Sequence, residues 1–187
     1  MVTAVVAALI GLVVGRATRG RFSAVAEHPV RTWPLLGGGA ALQLVAHVGA
    51  ERLAYPLVLL SYVALAAFAA RNLHLVGMGL VLVAITVNGG VIALNHGMPV
   101  RPEAAADAGV RELGPAHHLE RDSDRLLVLA DVIPLRATGE VLSLGDLVFA
   151  VGLADVTARV LHPRPRRSVL RGRQGLRRRD LRPLMSQ

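Results

Sequence analysis

The residues best placed to do chemistry are Asp131 and Asp146. Asp131 lies inside a ten-residue apolar island at 126–135, Leu-Leu-Val-Leu-Ala-Asp-Val-Ile-Pro-Leu, where no neighbouring charge explains it. Facing Asp146 or a helical residue, it would form a carboxylate pair with a shifted pKa, suited to holding and passing a proton. Asp146 also has a structural explanation, because Ser143 precedes it by three residues in a capping-box arrangement. Asp155 stands four residues before Arg159, which suits an ion pair within one helix.

Uncharged polar residues interrupt two of the apolar runs. Asn88 and Asn95 are seven residues apart, and Gln43 and His47 are four apart, so each pair shares one helical face. Such faces suit either a polar track for a proton, an ion or a small solute, or hydrogen bonds between helices. His47 falls near the end of its segment, at headgroup level. Between the last two runs, His96 is followed by His117-His118-Leu-Glu120-Arg-Asp122-Ser-Asp124. Histidine and carboxylate can bind a divalent cation, but the spacing is not His-Glu-x-x-His and no Ca²⁺-loop pattern is present. Solvated loop charge is the expected role, with no metal and no cofactor.

These residues need elements to hold them, and the elements are apolar. Of 187 residues 53% are hydrophobic, and the 18% that are charged crowd between long apolar runs. The mean hydropathy is +0.49. The expected fold is all-α, a helical transmembrane bundle of about five spans at 1–15, 33–50, 53–70, 75–94 and 142–161. The first run is short for a hydrocarbon core, at about 22 Å of helix. It does not read as a secretory signal, because its arginines follow the apolar stretch instead of preceding it. The connection at 95–141 is polar and net acidic, with eight Asp and Glu against five Arg. Its island at 126–135 is too short to span and reads as an interfacial or re-entrant helix ending near Pro134.

Charge sets the orientation. The connections at 16–32 and 71–74 carry five arginines and the segment from Arg159 carries ten, which places them in the cytoplasm. The N-terminus and the 95–141 loop are then outside. All 21 basic residues are Arg, and nine lie in the tail at 162–187 among Pro and Gly. This tail reads as a disordered cytoplasmic segment held to anionic lipid headgroups. At 3% aromatic residues the chain lacks stacking surfaces for nucleic acid. The absence of Cys excludes disulfides and thiolate chemistry.

Several segments together resemble a known family. Arg19-Gly-Arg-Phe-Ser23, Arg71-Asn-Leu, Asn95-His-Gly-Met-Pro-Val100, Asp131-Val-Ile-Pro134 and Leu142-Ser-Leu-Gly-Asp146 follow one another in order. The set resembles a domain-of-unknown-function family of small bacterial integral membrane proteins, found in actinobacteria and firmicutes, over roughly residues 9–160. The chain departs from that pattern at His96-Gly97 and at Ala130, where more glycine is expected. The resemblance implies a membrane topology and no catalytic residues.

The functional expectation is therefore a non-enzymatic accessory or interaction protein in the cell membrane. Its partners are the bilayer and either another membrane protein or further copies of itself. The alternatives are a proton-coupled or small-solute transporter using intramembrane Asp, Asn and His, and a small membrane enzyme with a carboxylate and histidine site on the outer face.

Overall fold

A computed structural model describes residues 2–49 and 51–164, and the chain is mostly helical. Five apolar helices carry the fold: α1 (Val2–Ala17), α2 (Trp33–Val48), α3 (Glu51–Arg71), α4 (Met78–Asn95) and α6 (Leu144–Val160). They pack in a row, α2 on α3, α3 on α4, α4 on α6, and α6 on α1. Hydrogen bonds fix their directions. Val2 N–H and Thr3 Oγ1 donate to Glu140, just before α6, and Thr18 meets His162 just after it, so α1 and α6 run parallel. Arg31, entering α2, is bonded to Asn72 at the end of α3, so α2 and α3 are antiparallel. The arginines between helices thus gather at one end of the row, and residues 96–143 lie at the other.

Small residues let the neighbours close. On α1, a Cβ at Gly15 would sit 2.8 Å from Ala158 O and 2.7 Å from Leu161 Cδ1, and Gly11 meets Ala154 in the same way. Gly11-x-x-x-Gly15 therefore lies on Ala154-x-x-x-Ala158, a small-residue seam on both helices. On its other side α6 uses Gly152, where a Cβ would lie 2.9 Å from Val81 N. Of the three glycines at 37–39 only Gly39 packs, against Leu65; Gly37 and Gly38 have nothing within 4 Å. Large apolar side chains cover the outside of the row, among them Ile10, Val13, Leu44, Val63, Val83 and Val151.

Among the described residues two helices are long and apolar enough to cross a membrane, α3 with 21 residues and α4 with 18. The expectation of five spans is met only to that extent, because the other three apolar helices are shorter. Local signals set those lengths. α1 closes in a Schellman-type turn, with Arg19 left-handed at φ 68° and Gly20 N–H reaching Gly15 O at 2.8 Å. α4 begins at Met78 instead of Leu75, because Gly77 at φ 91° breaks the chain direction where its backbone abuts Gly152 and Val156. α6 begins at Leu144 because residues 140–142 are drawn into a strand.

The segment at 96–143 forms a small cap containing strands, which the all-α expectation did not include. β1 (Met98–Val100) pairs in parallel with β2 (His117–Leu119), and β3 (Ile133–Leu135) pairs antiparallel with β4 (Glu140–Leu142). α5 (Pro102–Ala108) packs on that hairpin. The island at 126–135 is not a helix. It is one 3₁₀ turn (Leu127–Leu129), then a parallel bridge from Asp131 to Val100, then β3. Leu126 is left-handed at φ 59°, Val132 and Ile133 favour extended backbone, and Pro134 lacks the N–H a helix needs. Of the tail, only residues 162–164 are described; the expectations for 165–187 fall outside the described residues.

The seam between α1 and α6 yields a test. Gly11→Val should lower the thermal-unfolding midpoint in detergent, with a loss of about 1–3 kcal/mol typical of overpacking. Gly37→Ala, which meets open space, should leave the midpoint unchanged or raise it.

Candidate functional site

Where the row meets the cap, polar side chains from four segments converge. Asp146 sits at the third position of α6 and accepts from Ser143 N and Ser143 Oγ, each at 2.8 Å, through Oδ2. Ser143 Oγ accepts in turn from Asp146 N at 3.1 Å, completing the capping box read in the sequence. From α4, Asn88 donates to Asp146 Oδ1 at 3.0 Å. Asn88 can come this close because Gly145 faces it: a Cβ there would lie 2.7 Å from Asn88 Cγ. Tyr62 of α3, packed against Gly89, brings a phenol close to Asn88 and within the field of both aspartates.

Asp131 lies beside this group, 4% exposed. Its backbone is spent on the cap, with Asp131 N donating to Pro99 O at 3.0 Å and Arg101 N to Asp131 O at 2.9 Å. The side chain is thereby held inward. Burial, with the negative charge of Asp146 adding to it, raises its pKa to about 8. The nearest cation candidate is His117, whose Nε2 is 3.7 Å from Asp131 Oδ2, beyond hydrogen-bond reach. One edge of the His117 ring reaches solvent, yet loss of hydration around the rest holds its pKa below the ordinary imidazole value. Both shifts work against an ion pair between the two groups.

The remaining sequence candidates are dispersed. Asn95 is buried and clamps the cap to α4: its Oδ1 accepts from Arg125 N at 2.7 Å and its Nδ2 donates to Arg125 O at 2.9 Å. His118 pairs with Asp124 at 3.0 Å. His96 ends α4 in the left-handed region and stacks on Tyr55. Gln43 and His47 are far along the row on α2, with His47 exposed. Among the described residues no group of three or more His, Asp or Glu is placed to hold a metal ion.

Two participants were missed by sequence reasoning. Tyr62 looked like one aromatic in a charge-free run, and only the packing of α3 on α4 brings it close to Asn88. Asn72, fully buried, repeats the Asn95 clamp at the opposite end, accepting from Arg31 N and donating to Arg31 O, both at 2.8 Å. Its place immediately after α3, beside Arg71, was the available signal.

The arrangement predicts a pH effect with a definite sign. An unfolded Asp131 loses its proton near the ordinary value of about 4, whereas the folded one keeps it to about 8. Between those values rising pH favours unfolding, and above them the effect is complete. The thermal midpoint of the wild type in detergent should fall from pH 5 to pH 8. Asp131→Asn should flatten that slope and be the more stable form at pH 8; equal slopes would exclude the assignment.

A model of a family of unknown function, DUF5317, matches residues 41–156. That span runs from the second half of α2 through most of α6 and holds Tyr62, Asn88, Asp131 and Asp146. No curated protein and no solved structure matches the chain. The match covers more than half of the chain, which accordingly belongs to DUF5317, a family of unknown function.

Proposed function

We propose that this is a multi-pass membrane protein of the non-enzymatic, accessory kind, presenting the cap at 96–143 as an interaction surface. The observation that carries the reading is the division of polar and apolar atoms. The outside of the helix row is large apolar side chains, whereas Asn88, Asn95 and Asp146 bond within the chain. A row lying in water would expose far more apolar surface than soluble monomers tolerate. In lipid the same faces are matched to their solvent, and internal hydrogen bonds are what polar residues there require.

All five apolar helices cross in this reading. α1, α2 and α6, at roughly 24–26 Å each, meet a hydrocarbon core of about 30 Å by local thinning of the bilayer. Their alternating directions put the N-terminus and cap outside and the Arg-rich ends in the cytoplasm. Residues 1–161 form the membrane domain, and the arginines at 162–187 serve as a cytoplasmic anchor on anionic lipid. The partner of the cap is another membrane protein or a second copy of the chain.

One observation favours a second reading. Asp131 is a buried acid beside Asp146 and His117, a group of the type proton-coupled transporters use. Against it, Asn88 and Asn95 are engaged in hydrogen bonds within the chain, to Asp146 and to Arg125. The enzyme reading has less support, because His96 and His118 are engaged elsewhere.

Reporter fusions after residue 187 and within 103–120 should report cytoplasm and exterior; the reverse would overturn the orientation. Protein reconstituted into liposomes should leave an imposed pH gradient as intact as empty vesicles do, while Asp146→Asn lowers membrane abundance. Collapse of the gradient by wild type but not by Asp131→Asn would favour the proton-coupled reading instead.

A further inference from the structure

At the end of the row opposite the cap, a half-open cavity of about 570 Å³ lies between the ends of α1 and α6, the 3₁₀ segment after α1, and the turn joining α3 to α4. Its polar lining is strongly one-sided: His28, His74, His162, Arg159 and Arg164. Two acids stand there among the described residues: Asp155 in the lining is engaged by Arg159, with Nε to Oδ1 at 2.7 Å, and Glu27 beside it accepts from Arg164 N at 3.1 Å. The rest of the wall is aliphatic, including Val14, Val76, Val156 and Val160.

The rings are positioned rather than loose. His28 Nδ1 is 3.0 Å from Ala24 O, and His74 Nε2 is 3.0 Å from Pro29 O. The second nitrogen of each makes no hydrogen bond with a described residue. His162 reaches across to α1, with Nε2 3.1 Å from Thr18 Oγ1, and so helps to close one side. Cationic and polar groups at the mouth and branched aliphatics along the helices match a molecule with a negative head and an apolar body.

From this complementarity we propose that the cavity is a binding site for one anionic phospholipid. Arg159 and Arg164, with the histidines around them, receive the phosphodiester. The acyl chains lie along Val14, Val76 and Val156. The arginines at 165–187 would attract a negative surface without selecting one lipid, so variants among them separate the two effects. The cavity joins the two chain-distant helices α1 and α6 to the α3–α4 turn, so an occupied site would tie together the cytoplasmic end of the row. The proposal rests on the membrane orientation above, whose failure the reporter fusions would reveal separately.

Full-length protein in dodecyl maltoside, titrated with phosphatidylglycerol and followed by native mass spectrometry, provides the test. One tight adduct is expected, and phosphatidylcholine, whose headgroup has no net charge, should bind more weakly. Arg159→Gln should weaken the first adduct about five-fold and Arg159→Gln with Arg164→Gln about thirty-fold, taking about 1 kcal/mol per cation. Arg177→Gln, Arg178→Gln and Arg179→Gln together should leave that adduct unchanged. Unaltered thermal midpoints without lipid would show that the cavity variants are folded. The proposal is overturned if folded cavity variants bind like wild type or if the distal arginine variants remove the first adduct. It is overturned equally if millimolar inorganic phosphate displaces the lipid, which would identify a free-phosphate site.

Discussion

The start of α6 is the point on which the architecture depends. Asp146 gathers donors from Ser143 and Asn88, so one carboxylate both caps α6 and ties it to α4. The cap, α4 and α1 all meet α6, through the β3–β4 hairpin before it and the two helical faces beside it. In water such a bond would add about 1 kcal/mol, somewhat more with a charged acceptor. Where the alternative is hydrocarbon, its larger effect is to forbid arrangements that leave the carboxylate without donors. The bond therefore selects a register as well as stabilising one.

The same principle is used at both ends of the row. Asn95 and Asn72 each grip the backbone of one arginine through paired amide bonds, Asn95 joining α4 to the cap and Asn72 joining α3 to the approach to α2. Between these polar clamps, contact depends on shape. Gly11, Gly15 and Gly152 bring helix backbones close enough for dispersion to act. Helix α4, in the middle, has half of its apolar window buried, against 22% for α3. The row thus has a packed centre and flanks open to its surroundings.

Asp131 departs from this economy. Its backbone completes the cap, yet among the described residues no cation lies within hydrogen-bonding distance of its buried side chain, and burial together with Asp146 raises its pKa to about 8. Its cost rises with pH, so stability is lower where the acid must ionise. A neutral carboxylic acid in that position is a donor that an asparagine could largely imitate. This is why the position separates a packing role from one that requires a titrating proton.

Much of the row was legible in residue order, because long charge-free runs can be little else than apolar helices, and arginine placement sorted their ends. Ser143 and Asp146 announced their capping box for the same local reason: three residues of spacing suffice to close it. Local pattern failed at 126–135, where apolar content suggested a helix but the hydrogen bonds of Asp131 go to Pro99 and Arg101, some thirty residues away. The helix order, α1 on α6 through facing glycines and alanines, likewise depends on contacts about 140 residues apart. By itself, then, the sequence determined which segments are apolar helices, how α6 is capped and which ends carry the arginines. Only tertiary structure decided that Asn88 meets Asp146, that Tyr62 joins them and that Asp131 is buried beside them, because solvation and pairing are set by neighbours distant in the chain.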